Sequence, residues 1–451
     1  VAVKPKQLVV LGVDCGDLSK VEALVRAGRL PAFQSFFEAG VTAYGSFFGL
    51  SVTAGQRWAC VGAGATLGSL GTSGSHRPAQ NSAGRSGAET LWDAAARAGR
   101  KAIVFNFPGA MPADDGSPVA VLDALGRPLK SGPAPADGPA AMNAPAPADP
   151  PGNVPLAQAI DGLADTAVRL MAAREWDIFV MGSPGAIPPP AVEAAWAGAE
   201  LWEAQDRLLA RILGAAGKER LVFVVLTGSP PPAFPGFAPL EVLAGAGLAT
   251  RRQDRPEAAD EERSRALPLG ASRINVNLQG REPRGVVAPE DYETVQRQIL
   301  DALLTCKDPD SGLRPVAYAL SRKDARILGL HGEAAADVVY ALKTRAADAT
   351  GPVDASPAPG AADSLIAVAG PGIRQGVRLG RFVRLIDVAP TACHALDLPV
   401  PRECEGAVIY QAFRNPNAGL KEILKLREAV ERMETALFRE SREPWDKHDC
   451  A

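Results

Sequence analysis

Five short apolar runs set the limits on how this chain can fold. They are QLVVLGV at 7–13, AIVFNF at 102–107, DIFVM at 177–181, LVFVVL at 221–226 and SLIAVAG at 364–370. Near-continuous apolar runs of this length read as strands buried on both faces, the pattern of a parallel sheet rather than of a half-exposed one. Helix-like stretches lie between several of them, at 18–40, 88–98 and 192–213. The alternation predicts an α/β fold with a mostly parallel central sheet covered by helices on both faces. Chemistry in such sheets gathers at the carboxyl ends of the strands, so the residues that follow each run, beginning with Asp14, are the ones to inspect.

Composition narrows the function. At 451 residues the chain can form one large α/β domain with insertions, and its apolar fraction of 47% suits a globular protein. A net charge of −3, with no basic run interleaved with aromatics, argues against nucleic acid as a partner. No apolar stretch reaches the roughly 18 residues of a membrane span. The six cysteines include no C-x-x-C pair, which removes zinc-ribbon, thioredoxin-like and c-type haem readings. There are only four histidines, a low count for a chain that would hold zinc. The first residue is Val, which favours removal of a leader and an extracytoplasmic location over a cytoplasmic one. The Ala/Pro/Gly-rich composition suggests a bacterial origin.

Residues 1–412 read as one α/β domain, in which the Pro/Ala-rich segment 131–155 is a surface loop or insertion. Residues 350–362 read as a second, shorter loop. Residues 413–451 form a helical tail: Ile423, Leu426, Val430, Met433 and Leu437 are spaced 3-4-3-4, with opposite charges at Arg427/Glu431 and Glu428/Arg432. This is either an amphipathic helix docked on its own domain or a coiled-coil seam for a protein partner or a second copy.

Several stretches carry a resemblance. GVDCGD (12–17), GRLPAFQSFFEAG (28–40), TLWDAAARAGRKAIVFNFPGAMP (90–112), RINVNLQGREPRGVV (273–287) and VAGPGIRQGVRLGRFVRLIDVAPTACHALDLPVPRECEG (368–406) occur in order along the chain. Together they resemble the type I phosphodiesterase/nucleotide pyrophosphatase branch of the alkaline-phosphatase superfamily, from about residue 7 to 410. The resemblance implies an alkaline-phosphatase-like sheet and a site where two divalent metals, usually zinc, sit among six Asp/His ligands while a Ser or Thr attacks phosphorus. Such a site needs its full set of carboxylates to offset the cations that activate the nucleophile and stabilise the phosphoryl oxygens.

Matched position by position, the set is nearly empty. Asp14 matches the ligand after the first strand. The nucleophile belongs within LSVTAGQRW (50–58); anchoring on Trp58 puts Ala54 there, a one-residue slip gives Thr53, and Ser51 is a further option. The Asp-His pair expected after DIFVM is replaced by GSPGAIPPP (182–190). The pair expected after LVFVVL is replaced by TGSPPP (227–232), which puts Gly228 and Ser229 at the ligand positions beside Thr227. The last His, expected before SLIAVAG, is missing from 354–363.

His76, in a polar loop downstream of the nucleophile region, is the only histidine with an approach to this end of the sheet. Without partner ligands Asp14 has a structural alternative, accepting hydrogen bonds from the amides of the next helix. Thr53 could equally be a helix cap. The Gly-rich run 62–75 lacks the G-K-[ST] ending of a P-loop. The expected function is therefore a non-catalytic, phosphodiesterase-like scaffold or binding subunit with no cofactor. The alternatives are a rewired metal-dependent phosphoesterase that uses Asp14, Thr53 and His76 with zinc or manganese, and a pocket of Ser51, His76, Thr227 and Ser229 that binds an anion or nucleotide without turnover.

Overall fold

A computed structural model describes residues 5–14, 18–47, 50, 52–71, 88–108, 110, 117–128, 155–183, 199–217, 219–228, 234, 236–270, 272–332, 335–343, 363–417 and 420–440. In chain order the main elements begin with β1 (Leu8–Asp14), α1 (Leu18–Arg26), α2 (Pro31–Ala39), β2 (Val41–Gly45), α3 (Ala54–Ala63), α4 (Leu91–Arg97), β3 (Ala102–Phe105) and β4 (Val119–Leu122). They continue with α5 (Leu156–Ala173), β5 (Ile178–Ser183), α6 (Ala199–Ala216), β6 (Leu221–Thr227), α7 (Pro239–Gly245), β7 (Ala266–Leu269), β8 (Arg273–Val276), α8 (Tyr292–Thr305) and β9 (Val316–Ser321). The last are β10 (Val338–Leu342), β11 (Ser364–Ala369), β12 (Val377–Arg378), α9 (Val388–Leu396) and α10 (Leu420–Glu440).

Among the described residues, eight strands form the central sheet in the order β12-β2-β11-β6-β1-β5-β3-β4. The chain starts in the middle: β1 pairs in parallel with β5 on one side and β6 on the other. Only β11 runs against its neighbours, antiparallel to both β6 and β2. The five apolar runs of the sequence are β1, β3, β5, β6 and β11, and the sheet is mostly parallel as they predict.

Alternation along β1 builds a core on each face. Leu8 and Val10 join Trp58 and Val61 of α3, Leu91 and Trp92 of α4 and Val388 and Ala392 of α9. Val9, Leu11 and Val13 point the other way, to Leu18 and Val21 of α1, Phe33 and Phe36 of α2, Ile160 of α5 and Leu208 of α6. Both faces are covered, as two-sided burial requires.

The helical stretch read over 18–40 is two helices. Gly28 takes a left-handed φ of 72° after α1, and Pro31 opens α2, where its missing N–H costs nothing. Two backbone amides at the start of α2, those of Ala32 and Phe33, instead donate to the buried carboxylate of Asp206 on α6.

A second, antiparallel sheet has the order β7-β8-β10-β9 and packs with α7 and α8 around Leu243, Ile274, Ile299 and Tyr340. Its organising polar group is Asp337, which is fully buried. Arg281 donates to both of its oxygens, Tyr292 Oη donates to Oδ1 at 2.8 Å, and the Val276 amide donates to Oδ2 at 2.8 Å.

The segment 131–154, the loop 350–362 and residues 441–451 lie outside the described residues. The helical tail is present as α10, but Leu426, Val430, Met433 and Leu437 are 47–65% exposed. The reading of an amphipathic helix docked on its own domain is thus not met: these side chains face water. No helix among the described residues is long and apolar enough to cross a membrane.

Candidate functional site

The carboxyl edge of the sheet is assembled from four distant parts of the chain. The register aligns Asp14 at the end of β1 with Thr227 at the end of β6, and Thr227 with Ser364 at the start of the reversed strand β11. Because β11 runs backwards, the residue before it, Asp363, arrives at the same edge as the residues after β1 and β6. Its backbone carbonyl accepts the Gly228 amide at 2.7 Å.

Helix α3 brings the fourth part. Thr53 is its N-cap, in a reciprocal capping box: Thr53 Oγ1 accepts the Gln56 amide at 3.2 Å and Gln56 Oε1 accepts the Thr53 amide at 3.0 Å. The cap fixes the first turn, and the next residues, Arg57 and Trp58, turn inward and are buried. Gly12 makes room for this approach, since a Cβ there would stand 2.7 Å from the Trp58 ring. Phe107 then packs edge-on against both Trp58 and Trp92, at 5.5 Å between ring centroids in each pair.

The result is a cation at the strand end. Arg57 Nη2 donates to Asp14 Oδ1 at 3.1 Å, with side chains only 3% and 13% exposed. Thr227 Oγ1 donates to the same oxygen at 2.8 Å, and Arg57 Nη1 donates to the Val52 carbonyl at 3.1 Å. Asp363 is held beside this pair, its Oδ2 accepting the Phe47 amide at 2.5 Å and the Ser46 hydroxyl at 3.4 Å. Burial pushes the Asp363 carboxyl up to about 6, against the pull of the Phe47 amide and the positive charge of Arg57. A buried acid raised in this way stabilises the fold fully below the ordinary carboxylate range. That contribution is lost as pH rises through about 6.

The described residues do not assemble a two-metal centre. Asp14 is committed to a guanidinium and a hydroxyl. At the end of β5, Ser183 donates to Gln205 Oε1 at 2.8 Å, and Asn106, in a left-handed conformation with φ 48°, donates to the Gly182 carbonyl at 2.9 Å. No cluster of three or more His, Cys, Asp or Glu suited to a metal occurs among the described residues.

Of the residues singled out from sequence, the structure brings Asp14 and Thr227 into direct contact. Thr53 caps α3 and its side chain is taken up by the capping box. Ser51, His76 and Ser229 lie outside the described residues, as does His448. His331 is half-exposed 3.9 Å from Glu405, and His394 packs edge-on against Tyr410 and Phe413. Sequence reasoning missed Arg57 and Asp363. The signal for Arg57 was a basic residue directly before an anchoring tryptophan, on the inward side of a capped helix. For Asp363 it was an acid directly before an apolar strand, the same signature that marks Asp14 from the other direction.

Thr53→Ala should behave as a cap deletion, lowering stability by about 1 kcal/mol. Urea unfolding would measure it; a drop within experimental error would mean the capping box does not hold α3 in place.

No protein-family model matches the chain, and no curated protein sequence matches it. Solved structures do. The chain has an alkaline-phosphatase-like fold. Wild-type alkaline phosphatase PafA superposes with a TM-score of 0.56 at 14% identity, over 92% of this chain and 100% of that one. Murine ectonucleotide pyrophosphatase/phosphodiesterase 5 gives 0.52 at 12%, over 87% and 96%. Phosphonoacetate hydrolase from Sinorhizobium meliloti 1021, in complex with phosphonoformate, gives 0.52 at 15%, again over 87% and 96%.

Proposed function

We propose that this protein is a non-catalytic relative of the phosphoesterases it resembles, a scaffold or binding subunit that keeps the sheet and has replaced the metals with an arginine. The observation that carries this reading is the Arg57–Asp14 pair. The one clear match to a metal ligand of the phosphodiesterases is neutralised by a cation fixed in the protein itself. A guanidinium stays charged and cannot be exchanged for zinc or manganese without moving α3. It offers no open coordination position and lowers no water pKa, which is what a metal supplies to phosphoryl chemistry. Thr53, the best-matched hydroxyl, has no base beside it among the described contacts; its oxygen serves the Gln56 amide.

The test is elemental analysis of the native protein purified without added metal, beside an assay on aryl phosphates and phosphodiesters. The expected result is no stoichiometric zinc or manganese and no turnover when either metal is added. One or two bound metals, together with hydrolysis abolished by Thr53→Ala, would instead establish the rewired phosphoesterase. A thermal shift with phosphate, sulfate or nucleotides but no turnover would identify the edge as an anion pocket.

A further inference from the structure

We infer that α10 joins two copies of this chain as an antiparallel helix pair. Along its seam Leu426, Val430, Met433 and Leu437 are spaced 4-3-4 and exposed to water, on a helix of 21 residues. That length spans about 31 Å, enough for three heptads. With Val430 at an a position and Leu426 and Met433 at d positions, Arg427 and Glu434 occupy successive e positions and Ala429 and Ala436 successive g positions.

These flanks select both a partner and a register. In an antiparallel pair the a positions of one helix face the d positions of the other, and e residues face e residues across the seam. Pairing Val430 with Met433 of the second copy also pairs Leu437 with Leu426. The same register sets Arg427 beside Glu434 of the second copy twice, by symmetry, and Ala429 beside Ala436 on the other flank. A shift of one heptad in either direction sets Arg427 against Arg427 or Glu434 against Glu434. Of these registers it is the one in which the charges attract, which is self-complementarity as a two-fold interface requires. The small alanine flanks let the helices approach closely. The antiparallel arrangement also sends the two α/β bodies to opposite ends of the pair.

Sedimentation of the full chain across about 1 to 200 µM tests this by mass action. The expected result is a monomer–dimer equilibrium that Leu426→Lys with Met433→Lys abolishes. Arg427→Glu alone and Glu434→Arg alone should each weaken the dimer roughly tenfold, and the two together in one chain should restore it. Far-UV circular dichroism of each variant confirms that the body stays folded. A monomer throughout the range overturns the proposal, as does a dimer that survives the lysine pair. Failure of the double charge reversal to restore association overturns the antiparallel register.

Discussion

Arg57→Met should destabilise the protein by about 3–5 kcal/mol at neutral pH, the cost of removing one partner of a buried ion pair and leaving the other's charge uncompensated. The guanidinium touches Asp14, and its charge also reaches Asp363, so the variant loses the counter-charge to two carboxylates at once. Denaturant unfolding read by tryptophan fluorescence measures it well, because Trp58 is the adjacent residue and packs over Gly12. The loss should be largest at high pH, where Asp363 is ionised, and should shrink below about 6, where Asp363 takes up a proton. Asp14→Asn in the Arg57→Met background should recover part of the stability, since the stranded charge is then gone. A loss below about 1 kcal/mol at every pH would show that the pair is solvated like a surface salt bridge and does not act as a fixed internal cation.

Asp337→Asn should cost a comparable 3–5 kcal/mol, at a different place. Asp337 is wholly buried and binds Arg281, Tyr292 and the Val276 amide, tying β8, β10 and α8 together. An amide cannot accept at both ends, so one of its donors would lose its acceptor and Arg281 would lose its counter-charge. Hydrogen exchange locates the damage. Protection should fall across β8 and β10 while β1, β5 and β6 stay slow. Uniform loss across both sheets would mean that the two unfold as one unit.

Much of the fold is legible in the sequence because the central strands are buried on both faces. LVVLGV and LVFVVL can be read as strands without any partner in view, since two-sided burial leaves no polar positions to confuse the period. The smaller sheet is not legible in this way. β7 and β8 are four residues each, β7 contains Pro268, and β9 is only partly buried, so neither length nor alternation marks them. The stretch around β8 could be placed only by its resemblance to a family segment.

At the site, Asp14 stands out because an acid ends an apolar run. Arg57 does not, because a basic residue in an amphipathic helix is read as facing water, and only the tertiary structure shows it turned inward. Asp363 is hidden for a related reason: the family resemblance places an imidazole before β11, and a carboxylate serving a backbone amide does not advertise itself by type. The exposure of Leu426 and its neighbours could not be read either. A 3-4-3-4 pattern says which residues share a face and is silent on what covers it.

The central place of β1 has a consequence for how the chain is made. The strand is translated well before β5 and β6, which flank it and lie roughly 170 and 210 residues downstream. At ordinary rates of elongation, about 5–20 residues per second, its two edges stay open for something like ten to forty seconds. During that time LVVLGV is an unpaired, uncharged apolar strand, the kind of segment that seeds aggregation. The yield of this protein in a cell should therefore depend on translation speed and chaperone supply as much as on the stability of the finished fold.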